Sequence, residues 1–442
     1  MKLHIYTSRY IVPIGSPSFE QGALAVQDGR IVALGPAAEI TRRFSHAPCT
    51  DYGDSILLPA LINAHTHLEL SHFPRWQEIA QEQPDGGRHP GAEQAKIESA
   101  QGFTAWILRL IEIKKNIGRD PQIYIDAWHT GLYLAENNGT GYIGDILTTP
   151  QLSAIAATHL PGRGFIEILG HDPLQVHTRL EHLEHWAEHA PQALWGAAPH
   201  APYTLSQDML KLSFRTTAAH HLPSSIHLAE SEEEVEFLCS ATGPMAQKLY
   251  PYVNWEQHLS PPRRMRPLEC VRQAGGLRPD TLLVHGIHLN RAEIDLVAAS
   301  KASVVLCPRS NARLKCGKAP VAEYLRAGIP LALGTDSLAS NSTLSLWDEM
   351  AFTLQWFEGA ISAPQLLHMA TRGGARALQL NDAGTLAPGK RATFVVVSPS
   401  TLPELPNVAE FLCHSRRGRE ITALYREGNA VDLSSCNKDI SA

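Results

Sequence analysis

Short apolar runs that end in a histidine or an aspartate recur along the middle of the chain. Five of them deliver a polar side chain where hydrophobic sequence gives way to a loop, and these residues are His65 with His67, His200, His227, His285 and Asp336. Such runs, separated by stretches of helical length, predict parallel strands joined by helices. Chemistry gathered at the carboxyl ends of the strands favours an α/β fold of the (β/α)8 TIM barrel type over a doubly wound sheet.

Eight apolar segments are candidate barrel strands, namely 56–64, 139–145, 164–169, 194–199, 224–228, 281–285, 303–307 and 331–335. Between the first two, residues 101–115 place apolar side chains at helical spacing, which predicts a helix with a stripe facing the core. Residues 83–91 are polar and rich in turn formers, which predicts a mobile loop above the first strand.

Both ends of the chain have the pattern of short strands and turns. The N-terminal segment contains the hairpin signal Asp28-Gly29, and the segment after Gly384 again alternates short apolar runs with turns. We therefore predict a small β-sandwich domain assembled from residues 1–57 and 384–442. The catalytic barrel is expected to span residues 58–383.

Composition excludes several classes of protein. The chain has 442 residues, of which 44% are hydrophobic, and a formal net charge of −6, so a large core is expected and a nucleic acid partner is not. No apolar stretch is long enough to cross a bilayer, and the first residues lack a signal core, which predicts a cytoplasmic protein without a membrane partner. The seven cysteines are expected to be reduced thiols.

The strand-end residues suggest a metal site. Because residues two apart in a strand point to the same side, His65 and His67 can bind one divalent ion. Such a pair is weak evidence in a chain with 22 histidines, but His227 and Asp336 end other strands in the same way. Three imidazoles and one carboxylate leave a position for water, whose pKa the metal would lower enough to supply hydroxide.

Two further residues are candidates for proton transfer and polarisation. Glu230 lies three residues after His227, which suits a general acid/base that moves protons between the water and the substrate. His285, one strand further round the barrel, is expected to polarise the attacked group or to hydrogen-bond with it.

Several segments together resemble the amidohydrolase superfamily, in the branch of cytosine deaminases, chlorohydrolases and adenosylhomocysteine deaminases. They are Leu58-Pro-Ala-Leu-Ile-Asn-Ala-His-Thr-His, Ala198-Pro-His-Ala-Pro-Tyr, His227-Leu-Ala-Glu, Val284-His-Gly, Gly334-Thr-Asp-Ser and Gly384-Thr-Leu-Ala-Pro-Gly-Lys-Arg-Ala. The resemblance implies that the metal ligands are His65, His67, His227 and Asp336. It also implies catalytic roles for Glu230, His285 and Asp336, and a substrate contact for His200.

The metal count follows from a departure within this resemblance. Binuclear members carry a bridging carboxylated lysine after the fourth strand, where this chain has Ala197-Ala-Pro-His. One Zn²⁺ per chain is therefore expected, with Fe²⁺ or Mn²⁺ as alternatives. In mononuclear members the resemblance implies hydrolytic loss of ammonia, or of chloride, from an aromatic nitrogen heterocycle.

The substrate is indicated by two shorter resemblances. His67-Leu-Glu-Leu-Ser is similar to a segment of aminodeoxyfutalosine deaminases, which act on a purine nucleoside of the alternative menaquinone pathway, and Cys307-Pro-Arg-Ser-Asn resembles adenosine-type deaminases. They imply substrate contacts for Glu69, Ser310 and Asn311. Glu167, on a predicted buried strand, is a further candidate. The alternatives are a salt bridge at the pocket rim for Glu69 and a hydrogen-bonded core carboxylate for Glu167.

The resulting prediction is a homodimeric or larger metal-dependent deaminase of an amino-purine nucleoside, with 6-amino-6-deoxyfutalosine as the first candidate. Other candidates are deamination of adenosylhomocysteine, methylthioadenosine or another nitrogen heterocycle, dechlorination of a triazine, and hydrolysis of a cyclic amide. A noncatalytic assembly protein with the same barrel is the alternative from another class. Such relatives lose the metal ligands, which this chain retains.

Overall fold

Two β-structures organise the part of the chain that the computed structural model describes, residues 3–82, 102–190 and 194–433. The strands are β1 (His4–Ile11), β2 (Phe19–Gln27), β3 (Arg30–Pro36), β4 (Cys49–Asp51), β5 (Ile56–Pro59), β6 (Leu61–Thr66), β7 (Thr140–Leu147), β8 (Gly162–Ile168), β9 (Leu194–Pro199), β10 (Ser224–Leu228), β11 (Thr281–His285), β12 (Ser303–Leu306), β13 (Leu331–Leu333), β14 (Phe394–Val397), β15 (Ile421–Arg426) and β16 (Asn429–Ala430).

The helices alternate with the strands of the middle region. They are α1 (Ala37–Arg43), α2 (Phe73–Glu82), α3 (Phe103–Ile117), α4 (Pro121–Asn137), α5 (Pro150–His159), α6 (Pro173–His189), α7 (Gln207–Ala219), α8 (Glu232–Ser240), α9 (Tyr250–Tyr252), α10 (Pro267–Gln273), α11 (Arg291–Ser300), α12 (Pro308–Arg313), α13 (Val321–Arg326), α14 (Leu346–Trp356), α15 (Ala363–His368), α16 (Gly374–Ala377) and α17 (Val408–Leu412). Short 3-10 or π turns lie at Leu68–Leu70, Pro202–Thr204, Met245–Leu249, Glu256–His258, Met369–Gly373, Leu405–Asn407 and Ser415–Glu420.

The strands β6 to β13 form a parallel barrel in chain order. A parallel bridge between Thr66 and Asp336 brings the first and last of them together. Apolar side chains fill the interior, among them Ile62, Phe165 and Val284, and the segment from Ala375 to Ala383 closes its lower end. This arrangement directs the carboxyl ends of all eight strands to one mouth, where the candidate site lies.

The second β-structure combines both ends of the chain. Its eight strands form one hydrogen-bonded sheet in the order β16-β15-β14-β5-β1-β2-β3, with β4 paired to β1. Alternate residues of β2 point to opposite faces, so Leu24 packs in one buried cluster and Ala25 in another. The predicted (β/α)8 barrel with a separate β-structure formed by both chain ends is confirmed, and this β-structure, predicted as a small β-sandwich, is one hydrogen-bonded sheet.

The first predicted strand, 56–64, is two strands in the structure. Residues 56–59 pair with β1 and β14 in the terminal sheet, and residues 61–66 pair with β7 in the barrel. The chain changes sheets at Ala60, while every residue from Ile56 to Thr66 stays buried. Burial on both sides of the break is why the apolar run reads as one strand.

Two other expectations concern the periphery. The predicted loop 83–91 lies outside the described residues. In the part of the chain that is described, no helix combines the length and the apolarity that crossing a bilayer requires.

Candidate active site

Four side chains at the ends of three barrel strands bring atoms that could bind a metal close together. Nε2 of His227 lies 3.3 Å from Nε2 of His65 and 3.4 Å from Nε2 of His67. Oδ1 of Asp336 lies 3.8 Å from Nε2 of both His65 and His67. All four residues are shielded from bulk solvent, and His65 is only 1% exposed.

These distances would allow all four residues to hold one cation. An ion that binds four atoms at about 2.0–2.1 Å holds those atoms about 3.3 Å from one another. Nδ1 of His227 lies 2.8 Å from the backbone oxygen of His200, so it carries the proton and leaves the Nε2 lone pair facing the other rings. Burial lowers the pKa of His65, His67 and His227, which keeps the imidazoles in the neutral form that binds a metal.

Two hydroxyl groups hydrogen-bond to the side chain of Asp336, and its backbone has a positive φ. The hydroxyl groups of Ser310 and Ser340 each donate to its Oδ2 at 2.7 Å, which leaves Oδ1 for the cation. Although burial opposes ionisation, His67, His65 and His285 hold the pKa of Asp336 below its ordinary value. Its φ of 59° lies in the left-handed region, which few non-glycine residues adopt outside tight turns and functional sites.

His285 ends β11 beside the cluster. Its Nδ1 lies 2.9 Å from Oδ1 of Asn311, so Nδ1 donates this bond and Nε2 is an acceptor. Burial lowers the pKa of His285 to about 4, which keeps the ring neutral. Ser310 and Asn311 were predicted to contact the substrate, whereas in the structure their side chains are bonded to Asp336 and His285.

Glu230 lies on the loop between β10 and α8, with its carboxyl group 3.5 Å from Nε2 of His285. Its backbone N–H donates to Oε2 of Glu234 at 2.8 Å, and this bond fixes the loop. Burial, followed by the charges of Asp336 and Glu234, raises the pKa of Glu230 well above its ordinary value. A carboxyl group with a raised pKa is suited to donate a proton near neutral pH.

A cavity of about 530 Å³ opens onto these residues. Much of its wall is apolar and comes from one face of α3, with Phe103, Trp106, Ile107, Leu110 and Ile111 at helical spacing. The helical spacing of these residues predicted only a contact with the core. Spacing alone does not show which part of the molecule a helix face contacts. His200 also lines the cavity, and burial lowers its pKa to about 3.

One end of the cavity is polar. Glu69 accepts hydrogen bonds from Nζ of Lys114 at 3.0 Å and from the hydroxyl of Thr148. Glu167 also faces this end. Burial and the neighbouring Glu69 raise the pKa of Glu167 to about 7, while Lys114 and Arg179 oppose the rise. The salt bridge considered for Glu69 is therefore present, and both carboxylates line the same cavity as the metal ligands.

Asp145 was not anticipated from the sequence. Its Oδ1 accepts from the N–H of Leu68 and the hydroxyl of Thr66, each at 2.9 Å, and its Oδ2 accepts from Nε1 of Trp128 at 2.8 Å. The carboxylate thus anchors the segment that carries His65 and His67. An acidic residue inside an otherwise apolar strand-like run was the available signal, because a buried carboxylate needs partners.

Comparison with known proteins agrees with this geometry. The sequence profile described as "Amidohydrolase family" matches residues 56–431, and an imidazolonepropionase-like composite domain of bacteria matches residues 22–44. A 5-methylthioadenosine/S-adenosylhomocysteine deaminase of Syntrophobacter fumaroxidans is 29% identical over 434 residues, which cover 93% of this chain and 88% of the relative.

Two further proteins are similar over most of their length. An aminodeoxyfutalosine deaminase of Deinococcus radiodurans is 29% identical over 372 residues, covering 80% of this chain and 81% of the relative. The crystal structure of an adenosine deaminase from Xanthomonas campestris with bound zinc superposes with a TM-score of 0.77 at 25% identity, covering 97% of this chain and 92% of that one. The profile match spans most of the chain, and the chain therefore belongs to the amidohydrolase family, as a hydrolase of carbon–nitrogen bonds other than peptide bonds.

Proposed function

We propose that this protein is a metal-dependent deaminase of 6-aminopurine nucleosides. The observation that carries the proposal is one cavity that joins His65, His67, His227 and Asp336 as possible cation ligands, an acid/base glutamate and a polar end suited to a sugar. The relatives described as deaminases of methylthioadenosine, adenosylhomocysteine and aminodeoxyfutalosine support an adenosine-like substrate. The reaction replaces the 6-amino group by oxygen and releases ammonia.

The cation site suits one Zn²⁺ held by His65, His67, His227 and Asp336, since three imidazoles and a carboxylate are ligands that zinc prefers. Fe²⁺ or Mn²⁺ are the alternatives. When bound, the metal supplies a Lewis acid that lowers the pKa of water toward neutrality. The zinc in the similar adenosine deaminase structure supports this choice of metal.

The chain's own residues move the protons. As water adds to the carbon that bears the amino group, Glu230 protonates the adjacent ring nitrogen. Asp336 accepts one proton of the adding water and passes it to the amino group, which leaves as ammonia, and the remaining hydroxyl proton returns to Glu230 as the C–N bond breaks and the carbonyl forms. His285 is neutral and faces Glu230 at 3.5 Å, where it can hydrogen-bond with the attacked centre.

Binding residues divide into two groups. His200, Glu69 and Glu167 line the cavity and are proposed to contact the nucleoside. Ser310 and Asn311 are proposed to act through Asp336 and His285, to which their side chains are bonded. Assembly as a homodimer or a larger homo-oligomer stays a prediction.

The proposed substrate carries a modified 5′ position. The cavity has room beyond an unmodified nucleoside, and the face of α3 offers aromatic and aliphatic contacts there. We place 6-amino-6-deoxyfutalosine first, which would assign the protein to menaquinone biosynthesis. Methylthioadenosine and adenosylhomocysteine are the next candidates.

A substrate series tests the proposal. The measurement is kcat/KM from the loss of adenine absorbance for these three nucleosides and adenosine, with cytosine, guanine and a chlorotriazine assayed in parallel by ammonia or chloride release. A site with polar groups placed for a sugar should reject a free base strongly. A free base or the triazine as best substrate would contradict the nucleoside assignment and leave the metal site and Glu230 unaffected.

A further inference from the structure

Glu167 is a carboxylate in the cavity for which the described residues provide no hydrogen-bond donor. It lies at the carboxyl end of β8, half-buried, with its open side facing the cavity. Among the described residues none donates a hydrogen bond to it, although the charges of Glu69, Lys114 and Arg179 are close enough to act on its pKa. A partly buried carboxylate without donors is costly unless something else supplies them.

Other acidic groups near the barrel mouth have donors. Glu69 is bonded to Lys114 and Thr148, Asp336 to two serine hydroxyls, and Glu349 to Asn341. Glu230, the proposed acid/base, resembles Glu167 because no described side chain donates to its carboxylate, and the atom of His285 that faces it at 3.5 Å, Nε2, is an acceptor. A common reason accounts for both carboxylates, since each faces a position that the substrate occupies.

The position of Glu167 indicates which part of a nucleoside it would meet. The reacting centre lies between β6, β10, β11 and the end of β13, where the cation site and Glu230 are. Glu167 ends β8 on another arc of the barrel, near Glu69 and Thr148, which follow β6 and β7. With a purine base at the reacting centre, the proposal places the sugar of the nucleoside at this arc.

Charge favours a hydroxyl donor at this arc. Lys114 pairs with Glu69 at 3.0 Å and Arg179 donates to the backbone oxygen of Thr148, so both cations that act on Glu167 are already engaged. Resting on the proposed function, we infer that Glu167 accepts a hydrogen bond from a ribose hydroxyl of the nucleoside and makes the enzyme select ribonucleosides over their deoxy counterparts. Glu167 is thereby assigned as a specificity-determining residue.

The strength of the proposed hydrogen bond to Glu167 determines how strongly the enzyme should prefer ribonucleosides. Above its pKa of about 7 Glu167 is ionised, and a hydrogen bond to this carboxylate that is lost when the hydroxyl is absent corresponds to roughly 10- to 100-fold in kcat/KM. The wild-type enzyme should therefore prefer a ribonucleoside over its 2′-deoxy or its 3′-deoxy analogue by about that factor. Replacing Glu167 should remove this preference instead of lowering all activities together.

The experiment is a cycle between enzyme variants and substrate hydroxyls. It measures kcat/KM of the zinc-loaded wild type, Glu167→Gln and Glu167→Ala on the best ribonucleoside of the series and on its 2′-deoxy and 3′-deoxy analogues. Glu181→Gln, on the exposed side of α6 that follows the same strand, is the matched control and should behave as wild type. Zinc content and melting temperature show whether each variant is folded and loaded.

We expect Glu167→Ala to lose about 10- to 100-fold on the ribonucleoside and less than about 3-fold on one of the deoxy analogues. Glu167→Gln, which keeps one acceptor oxygen, should fall between. Equal losses on ribonucleoside and both deoxy analogues would overturn the inference. So would a loss confined to adenosylhomocysteine, which would make the ammonium of its side chain the partner. If wild type deaminates no nucleoside, the proposed function has failed as well, and that outcome is distinct from the first two.

Discussion

Glu230 is buried and lines the cavity beside the proposed reacting centre. Its carboxyl group faces His285, its backbone N–H is fixed by Glu234, and its pKa is raised well above the ordinary value. Neither of these contacts involves a proposed metal ligand. We therefore expect that Glu230 transfers protons without taking part in metal binding.

Replacing Glu230 by Gln should therefore leave the metal bound and lower kcat by a factor of about 10² to 10⁴, the usual contribution of a positioned acid/base. The amide keeps the shape of the side chain and cannot cycle a proton. Steady-state kinetics and elemental analysis of the same preparation measure the two effects. Loss of zinc in this variant would show that Glu230 supports the site and would contradict the catalytic role.

Asp145 acts one layer behind the metal ligands. Its two oxygens accept three hydrogen bonds, from Leu68, Thr66 and Trp128, and thereby fix the backbone on both sides of His67. The Asp145→Asn variant has one acceptor oxygen, so its amide group must face at least one of these donors. A mispaired group of this kind costs about 1–3 kcal/mol.

We expect Asp145→Asn to weaken zinc binding by about 10- to 100-fold, while saturating zinc restores most of kcat. Competition with a chromogenic chelator measures the affinity. Asp126→Asn, on the exposed side of α4, is the matched control and should retain wild-type affinity. Unchanged affinity in Asp145→Asn would show that this carboxylate supports only the fold.

These residues also mark what sequence patterns can predict. His65, His67, His227 and Asp336 could be found because each lies at or just beyond a strand end, where the chain order alone directs it to the barrel mouth. Asp145 and Glu234 could not be assigned in this way. Their partners are backbone groups and side chains that only the folded chain brings near, as with the Trp128 indole.

At the scale of elements, α3 has a role that its sequence pattern left open. The helix lies against the cavity with its apolar face, and Lys114 at its far end reaches Glu69. Its first turn is held by Glu233, whose carboxylate accepts from the N–H of Thr104 at 2.8 Å and from the same residue's hydroxyl. One glutamate therefore links the cavity wall to the loop that carries Glu230.

Glu233→Ala should loosen the start of α3, because a helix N-terminus that loses its acceptor is destabilised by about 0.5–2 kcal/mol. We expect KM for the nucleoside to rise about 3- to 10-fold with a smaller change in kcat. Glu232→Ala is the control: it removes an exposed carboxylate from the same first turn of α8 but leaves Thr104 bonded. Hydrogen exchange of 103–117 should increase in the Glu233 variant alone. Equal KM values in the two variants would contradict the link.

At the scale of the whole molecule, we expect folding to be coupled to metal binding. The barrel closes where Thr66 of β6 pairs with Asp336 beyond β13, and both positions adjoin metal ligands or are ligands themselves. Three neutral imidazoles and a carboxylate meet at this closure, with nitrogen atoms only 3.3–3.4 Å apart. A cation that binds them joins the first strand of the barrel to the fifth and to the end of the eighth.

Removing the metal should therefore destabilise the folded chain as well as abolish activity. A ligand present at about 1,000 times its dissociation constant stabilises the native state by about 4 kcal/mol, so a chelator should lower the melting temperature by several degrees. One equivalent of Zn²⁺ per chain should restore both the melting temperature and the deaminase activity. Calorimetry and elemental analysis measure the two.

Two histidine variants separate this site from adventitious binding. His67→Ala should melt at the same temperature with and without chelator, since it lacks a ligand, whereas His159→Ala, which removes an exposed histidine of α5, should respond as wild type. The stoichiometry tests the mononuclear reading, because the position of the bridging lysine is occupied by the apolar segment that ends β9. Full activity reached only at two equivalents of metal would contradict a single-ion site, and an unchanged melting temperature in chelator would show that the barrel closes without the ion.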